Sequence, residues 1–259
     1  SVRQVLGHIT RGQKLDMARF GPGLHALQTE AELSDYTWLV AGCVGEFWTE
    51  LCGRHLPGYS LLPQAEMMRI GRAYGMGLQR LNIVRDAGAD LTQDRCYWPA
   101  EQLSALGLSP ESLTQAAHEG QVSTLAQLTP LYRAYLQQIQ TQLAAGLRYS
   151  CAVQSRRLRL ASALPALIGA RTVALLLQAG PASLTQRIKM PRGHRQAEFQ
   201  HYLGIARHII QRLYHFLDHN GIALRAFGAL NVDFRLQHRD KPGGEDLLAH
   251  LDLLANNIG

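Results

Sequence analysis

Apolar residues recur every three or four positions along almost the whole chain, the period of helices that each bury one face. Between Thr29 and His55 they fall at Leu33, Tyr36, Leu39, Val40, Val44, Phe47 and Leu51. Between Gln64 and Asp90 the series is Met67, Ile70, Tyr74, Gly77, Leu78, Leu81 and Val84. Thr129–Leu147 predicts a third long helix, with Thr129 as its cap and Pro130 in its first turn. Ala161–Leu177 and Gln196–Leu217 predict two more. Loops are expected at Gly21-Pro22-Gly23, at 55–60, at 107–110 and at 180–183, and Ser109-Pro110-Glu111-Ser112 reads as a helix start. Asp240–Gly244 is the strongest break and sets off a short last helix over 245–255. Only Ala223–Leu236 shows a weak extended pattern. The chain therefore reads as all-α and without internal repeats, with a core over 1–193 and a helical extension over 194–259 packed on the same domain.

Composition narrows this little. Of 259 residues, 46% are hydrophobic and 18% charged, a globular balance and not a disordered one. Lys and Arg exceed Asp and Glu by 26 to 20, a formal charge of +6, which favours anionic partners. No run of basic residues is interleaved with aromatics, which argues against nucleic acid. Cys43, Cys52, Cys96 and Cys151 contain no C-x-x-C pair, and the Cys52/His55 spacing has no companion, so all four read as reduced core thiols in a cytosolic protein. Residues 1–19 carry charges throughout, so no leader is expected there. Leu158–Ala179 approaches the length of a membrane span, but it contains Arg171 and Pro165 and reads better as a buried core helix.

Candidate chemistry concentrates in one helix. Asn82, Asp86 and Asp90 are spaced four apart and Gln79 lies three before Asn82, so two amides and two carboxylates share a stripe. Like charges at i,i+4 repel, and no cation at i,i+4 offsets them, since Arg85 lies one position off the stripe. A divalent metal bound by hard carboxylate oxygens would offset the repulsion; a solvated acidic face is the competing account. Gly75, Gly77 and Gly88 cost roughly 1 kcal/mol each in a helix interior and point to close packing or to ligand approach. Arg95 supplies a cation for an anion.

The run Leu78-Gln79, Asn82, Arg85-Asp86, Asp90 and Arg95-Cys96-Tyr97-Trp98-Pro99 resembles the second aspartate-rich motif of squalene and phytoene synthases. Upstream, Tyr36-Thr37-Trp38-Leu39-Val40-Ala41-Gly42-Cys43-Val44-Gly45-Glu46 is similar to a second motif of that family, with Thr37 where the family has Cys. The resemblance covers about 13–177. It implies an isoprenoid-synthase helical bundle around a central apolar cavity, with two farnesyl or geranylgeranyl diphosphates bound by their diphosphates at Mg²⁺ (Mn²⁺ as a substitute) and by their tails in the cavity. Asn82, Asp86 and Asp90 would hold the metal. Gln79, Arg85, Arg95 and Tyr97 would position the diphosphate or the metal ligands, and Val40, Gly42 and Gly45 would line the cavity. Tyr36, Asp86 and Asp90 would be catalytic, Tyr36 by handling a proton or stabilising a cation; a core tyrosine with a satisfied hydroxyl is the plainer account of Tyr36.

Within the family, Tyr97-Trp98-Pro99 looks more like squalene synthases. Ile188-Lys189-Met190-Pro191-Arg192-Gly193 is similar to their segment near the nicotinamide cofactor, with Pro191 replacing a cation. The resemblance then implies condensation of two farnesyl diphosphates through presqualene diphosphate and NADPH-dependent reduction to squalene, with Lys189 and Arg192 at the cofactor; an ordinary basic loop is the alternative. Phytoene or dehydrosqualene formation without reductant, and a non-catalytic lipid-binding or assembly protein, remain alternative readings of the chain. A cytoplasmic location is expected, peripheral on the membrane surface where an insoluble product leaves. The family's first aspartate-rich motif is not found, so the N-terminal helices are expected to be missing from this numbering and the chain as given to be inactive.

Overall fold

The computed structural model describes residues 2–19 and 23–185. Its helices are α1 (Val2–Arg19), α2 (Glu30–Thr37), α3 (Cys43–His55), α4 (Gln64–Leu91), α5 (Ala100–Ser104), α6 (Pro110–Glu119), α7 (Val122–Gln127), α8 (Thr129–Ala152) and α9 (Arg156–Ala179). A π-helical turn, Trp38–Gly42, joins α2 to α3, and a 3₁₀ turn, Gly180–Leu184, follows α9. The described residues contain one two-stranded parallel pairing, β1 (His25–Ala26) with β2 (Arg95–Cys96), which the periodicity did not announce. The predicted elements at 196–217, 223–236 and 245–255, and the extension over 194–259, lie outside the described residues.

Helix α4 is the axis of the bundle and packs on α3, α8 and α9. Its apolar face buries Met67, Ile70, Leu81, Val84 and Leu91, and the main core continues through Leu136, Ile139 and Leu143 of α8 and Val173 and Leu176 of α9. Close helix crossing requires glycine where α3 and the π turn meet α4. A Cβ on Gly45 would stand 2.1 Å from the Gly71 carbonyl oxygen, and one on Gly75 would stand 2.3 Å from that of Ala41. Gly77 and Gly88 are likewise filled by Gln142 and the Leu184 carbonyl, so these α4 glycines serve helix packing.

Two sequence expectations change. Thr129 does not cap α8: Leu128 is the cap residue, and the Thr129 hydroxyl donates back to Ala126 O at 2.7 Å. The stripe predicted through Val44, Phe47 and Leu51 also shifts by one residue. Thr49 and Cys52 are buried instead, and Val44 is 39% exposed. The cause is the π turn, whose extra residue advances the downstream face by about 100°. The Ser109 start holds: Ser109 and Ser112 form a reciprocal capping box, with Pro110 first in the helix.

Helix α9 is apolar and long enough to cross a membrane by length and composition. It nevertheless buries Ala163, Ala166, Leu167, Ala170 and Val173 within the bundle, and it runs through Pro165 unbroken. Pro165 cannot donate a backbone hydrogen bond. One turn away the Tyr74 hydroxyl donates to Ser162 O at 2.8 Å, so α4 and α9 are pinned there. All four cysteines are buried and free.

Candidate active site

Along α4 the side chains of the sequence stripe divide into two zones. Leu78, Gln79 and Asn82 line a cavity of about 370 Å³, together with Val40, Ala41, Val44, Gly45 and Trp48 from the π turn and α3, Tyr149 from α8, and Ala161, Ser162 and Pro165 from α9. That is the low end of the range for small-molecule sites. Asp86 and Asp90 lie one and two turns further along the same helix. Val40 and Gly45 thus face the cavity. Gly42 does not: it is buried against Met76 and Trp38, where a Cβ would meet either side chain at 2.9 Å.

The acidic zone is assembled from four elements. Asp86 is gripped by Arg85, whose Nε donates to Oδ1 at 3.0 Å and Nη2 to Oδ2 at 2.6 Å. This corrects the expectation that no internal cation offsets the carboxylates: neighbours on a helix do not face each other, but the arginine side chain is long enough to fold across. Both partners are about a third exposed, at 39% and 31%. Exposed pairs are worth about 1 kcal/mol or less, so either group can exchange partners cheaply.

Asp90 has no such clamp. Partial burial raises its carboxyl to about 6, helped by the charges of Asp86 and Asp16 and opposed by Arg95. Asp16 comes from α1. It accepts the Tyr97 hydroxyl at 2.7 Å and lies 4.0 Å from Arg95. Tyr36, from α2, stacks on Tyr97 with ring centroids 5.4 Å apart. Burial, and behind it the Asp16 and Asp90 charges, hold the Tyr36 phenol above its ordinary range despite the opposing Tyr97 hydrogen bond, so it keeps its proton at neutral pH.

The structure therefore brings together Tyr36, Asp86, Asp90, Arg85, Arg95 and Tyr97, with Gln79 and Asn82 at the border of the apolar cavity. Lys189 and Arg192 lie outside the described residues. Sequence reasoning missed Asp16, because no acid stands three to five positions from it. One signal was available: Gly12, one turn earlier, lets α1 approach the π turn, where a Cβ would come within 2.8 Å of Val40.

Among the described residues no three His, Cys, Asp or Glu side chains form a metal-holding group on their own. The donors nevertheless suit a hard divalent cation that keeps water and takes oxygens from a bound anion, since such ions need only one or two protein carboxylates. Burial and the neighbouring charges of Asp86 and Asp16 disfavour the ionised Asp90 carboxylate, and a cation there would offset that penalty. Arg85 donates to both Asp86 oxygens, so a cation at Asp86 would compete with it for that carboxylate.

An all-α bundle with a polar, carboxylate-rich end and an apolar hollow is the architecture of isoprenoid synthases. Residues 2–194 match the family model described as squalene/phytoene synthase, and the chain belongs to that family. Members act on isoprenyl diphosphates. Among curated proteins it is 33% identical over 119 residues to a phytoene synthase of Thermus thermophilus, covering 46% of this chain and 35% of that protein. It is also 33% identical over 106 residues to a bifunctional lycopene cyclase/phytoene synthase of Gibberella fujikuroi, covering 40% of this chain and 18% of that protein. Its fold is that of the squalene synthase HpnC from Alicyclobacillus acidocaldarius, with TM-score 0.56 and 21% identity over 68% of this chain and 60% of that one. The same holds for TcSQS in complex with the ligand BPH1237, with TM-score 0.60 and 18% identity over 90% of this chain and 61% of that one. The chain thus spans about a third of the Thermus protein and about three-fifths of the two solved structures.

Proposed function

We propose that this protein condenses two farnesyl diphosphates head to head and, with NADPH, delivers squalene. The observation that carries the reading is the division of α4: an apolar cavity at Leu78–Asn82 and, within the next two turns, a cluster of carboxylates and arginines. Ionisation of an allylic diphosphate leaves an anion that must be neutralised and a carbocation that must not meet water.

Arg95 and a released Arg85 receive the diphosphate oxygens. Asp86 and Asp90, with Asn82, would hold divalent cations, which would supply charge neutralisation for the leaving group. The protonated Tyr36 phenol can donate a hydrogen bond beside the departing oxygen. Val40, Val44 and Leu78 exclude water from the cation.

A second reading, condensation of geranylgeranyl diphosphate to phytoene without reductant, is supported by the phytoene synthases among the sequence relatives. Incubation of the full-length protein with Mg²⁺ and either diphosphate, with and without NADPH, separates the two. The expected result is diphosphate release from the fifteen-carbon substrate, squalene only with NADPH, and loss of both in Asp86→Ala. Phytoene from the twenty-carbon substrate would replace the first reading by the second. Protein that releases diphosphate from neither overturns both.

A further inference from the structure

Tyr149 lines the end of the cavity nearest Gly71. It reaches there from α8, and a Cβ on Gly71 would meet the tyrosine ring at 3.2 Å. Behind the ring lies a separate packed cluster containing Cys52, Tyr59, Met67 and Val153. The ring is tethered: its hydroxyl is hydrogen-bonded to Thr49 Oγ1 at 3.0 Å and lies 3.4 Å from the Tyr59 hydroxyl. From Asn82 at the polar border to Gly71 at the floor are eleven residues of α4, or about 16 Å at 1.5 Å each. An extended chain advances about 1.2 Å per backbone bond, so a farnesyl tail of eleven such bonds spans about 13 Å and a geranylgeranyl tail of fifteen about 18 Å. The first fits above the floor and the second runs into it.

We propose that Tyr149 is the specificity-determining floor of the tail cavity and sets a fifteen-carbon limit. The proposal rests on the functional reading above, since it takes the cavity as an isoprenyl-tail site. Tail length can be tested without metal, diphosphate or turnover. Farnesol and geranylgeraniol are titrated into the full chain and followed by tryptophan fluorescence, because Trp48 lines the cavity.

Wild-type protein should bind farnesol at least tenfold more tightly than geranylgeraniol. Tyr149→Ala should bring the two within about twofold, while Tyr149→Phe, which keeps the ring and loses the tether, should preserve the wild-type ratio. If Tyr149→Ala does not fold, Tyr149→Leu serves, with a ratio between the two. A shortened variant that binds farnesol with an unchanged ratio overturns the floor and leaves the enzyme reading standing. So does a Phe variant that relaxes as far as Ala. Wild-type protein that binds neither alcohol overturns the tail cavity itself, and with it both proposals.

Discussion

Asp90 is held in a state that disfavours folding, and removing its charge should make the protein more stable and less useful. Its carboxyl titrates near 6, against 3.8 for an unburdened aspartate, because of burial first and then the charges of Asp86 and Asp16. The folded chain therefore keeps this proton to higher pH than the unfolded chain. The stabilisation is complete below about 3.8 and is lost as pH rises through about 6. Two pH units correspond to about 3 kcal/mol at full strength, and partial solvent exposure reduces this to about 1–2 kcal/mol. Asp90→Asn should thus raise the melting temperature at pH 7.5 by roughly 2–8 °C. The gap should open between about pH 4 and pH 6 and stay level above. Melting curves of both proteins across that range test it, alongside diphosphate release, which the variant should lose. Mg²⁺ should raise the melting temperature of the wild type and leave Asp90→Asn unmoved. A variant that is less stable at pH 7.5, or equally displaced at pH 4 and 7.5, would refute the argument that burial and like charges burden this carboxylate.

Two further outcomes follow from packing and hydrogen bonding. Gly45→Ala should lose about 2–3 kcal/mol in urea titration, because its Cβ would stand 2.1 Å from a backbone oxygen that no rotamer can move aside; stability within 0.5 kcal/mol of wild type would contradict the crossing described. Tyr97→Phe should lose about 1.5–2 kcal/mol by the same assay, the worth of a hydrogen bond to a charged acceptor, since the hydroxyl donates to Asp16 at 2.7 Å.

What the sequence made legible is what depends on a single helix. The α4 stripe, the apolar face through Met67, Ile70, Leu81 and Val84, and the Ser109 start are all set by neighbours three or four residues apart, and they were readable. The misses arise where geometry departs from that spacing. Arg85 folds onto its immediate neighbour, a pairing that side-chain direction on a helix argues against. Asp16 joins the carboxylates only because α1 crosses the π turn near them, a contact between residues some seventy positions apart. Gly42 carries the right motif and faces Met76 instead of the hollow, because the π turn rotates the register.

That turn also bears on inheritance. Loss of a single codon between Trp38 and Gly42 would leave a good helical sequence, so the damage would be invisible to any propensity scale. It would nonetheless swing everything downstream as far as His55 back by the angle the bulge supplies, lifting the small residue at 45 off its seat. Alignments that place a one-residue gap there should be treated as describing a different wall for the chamber.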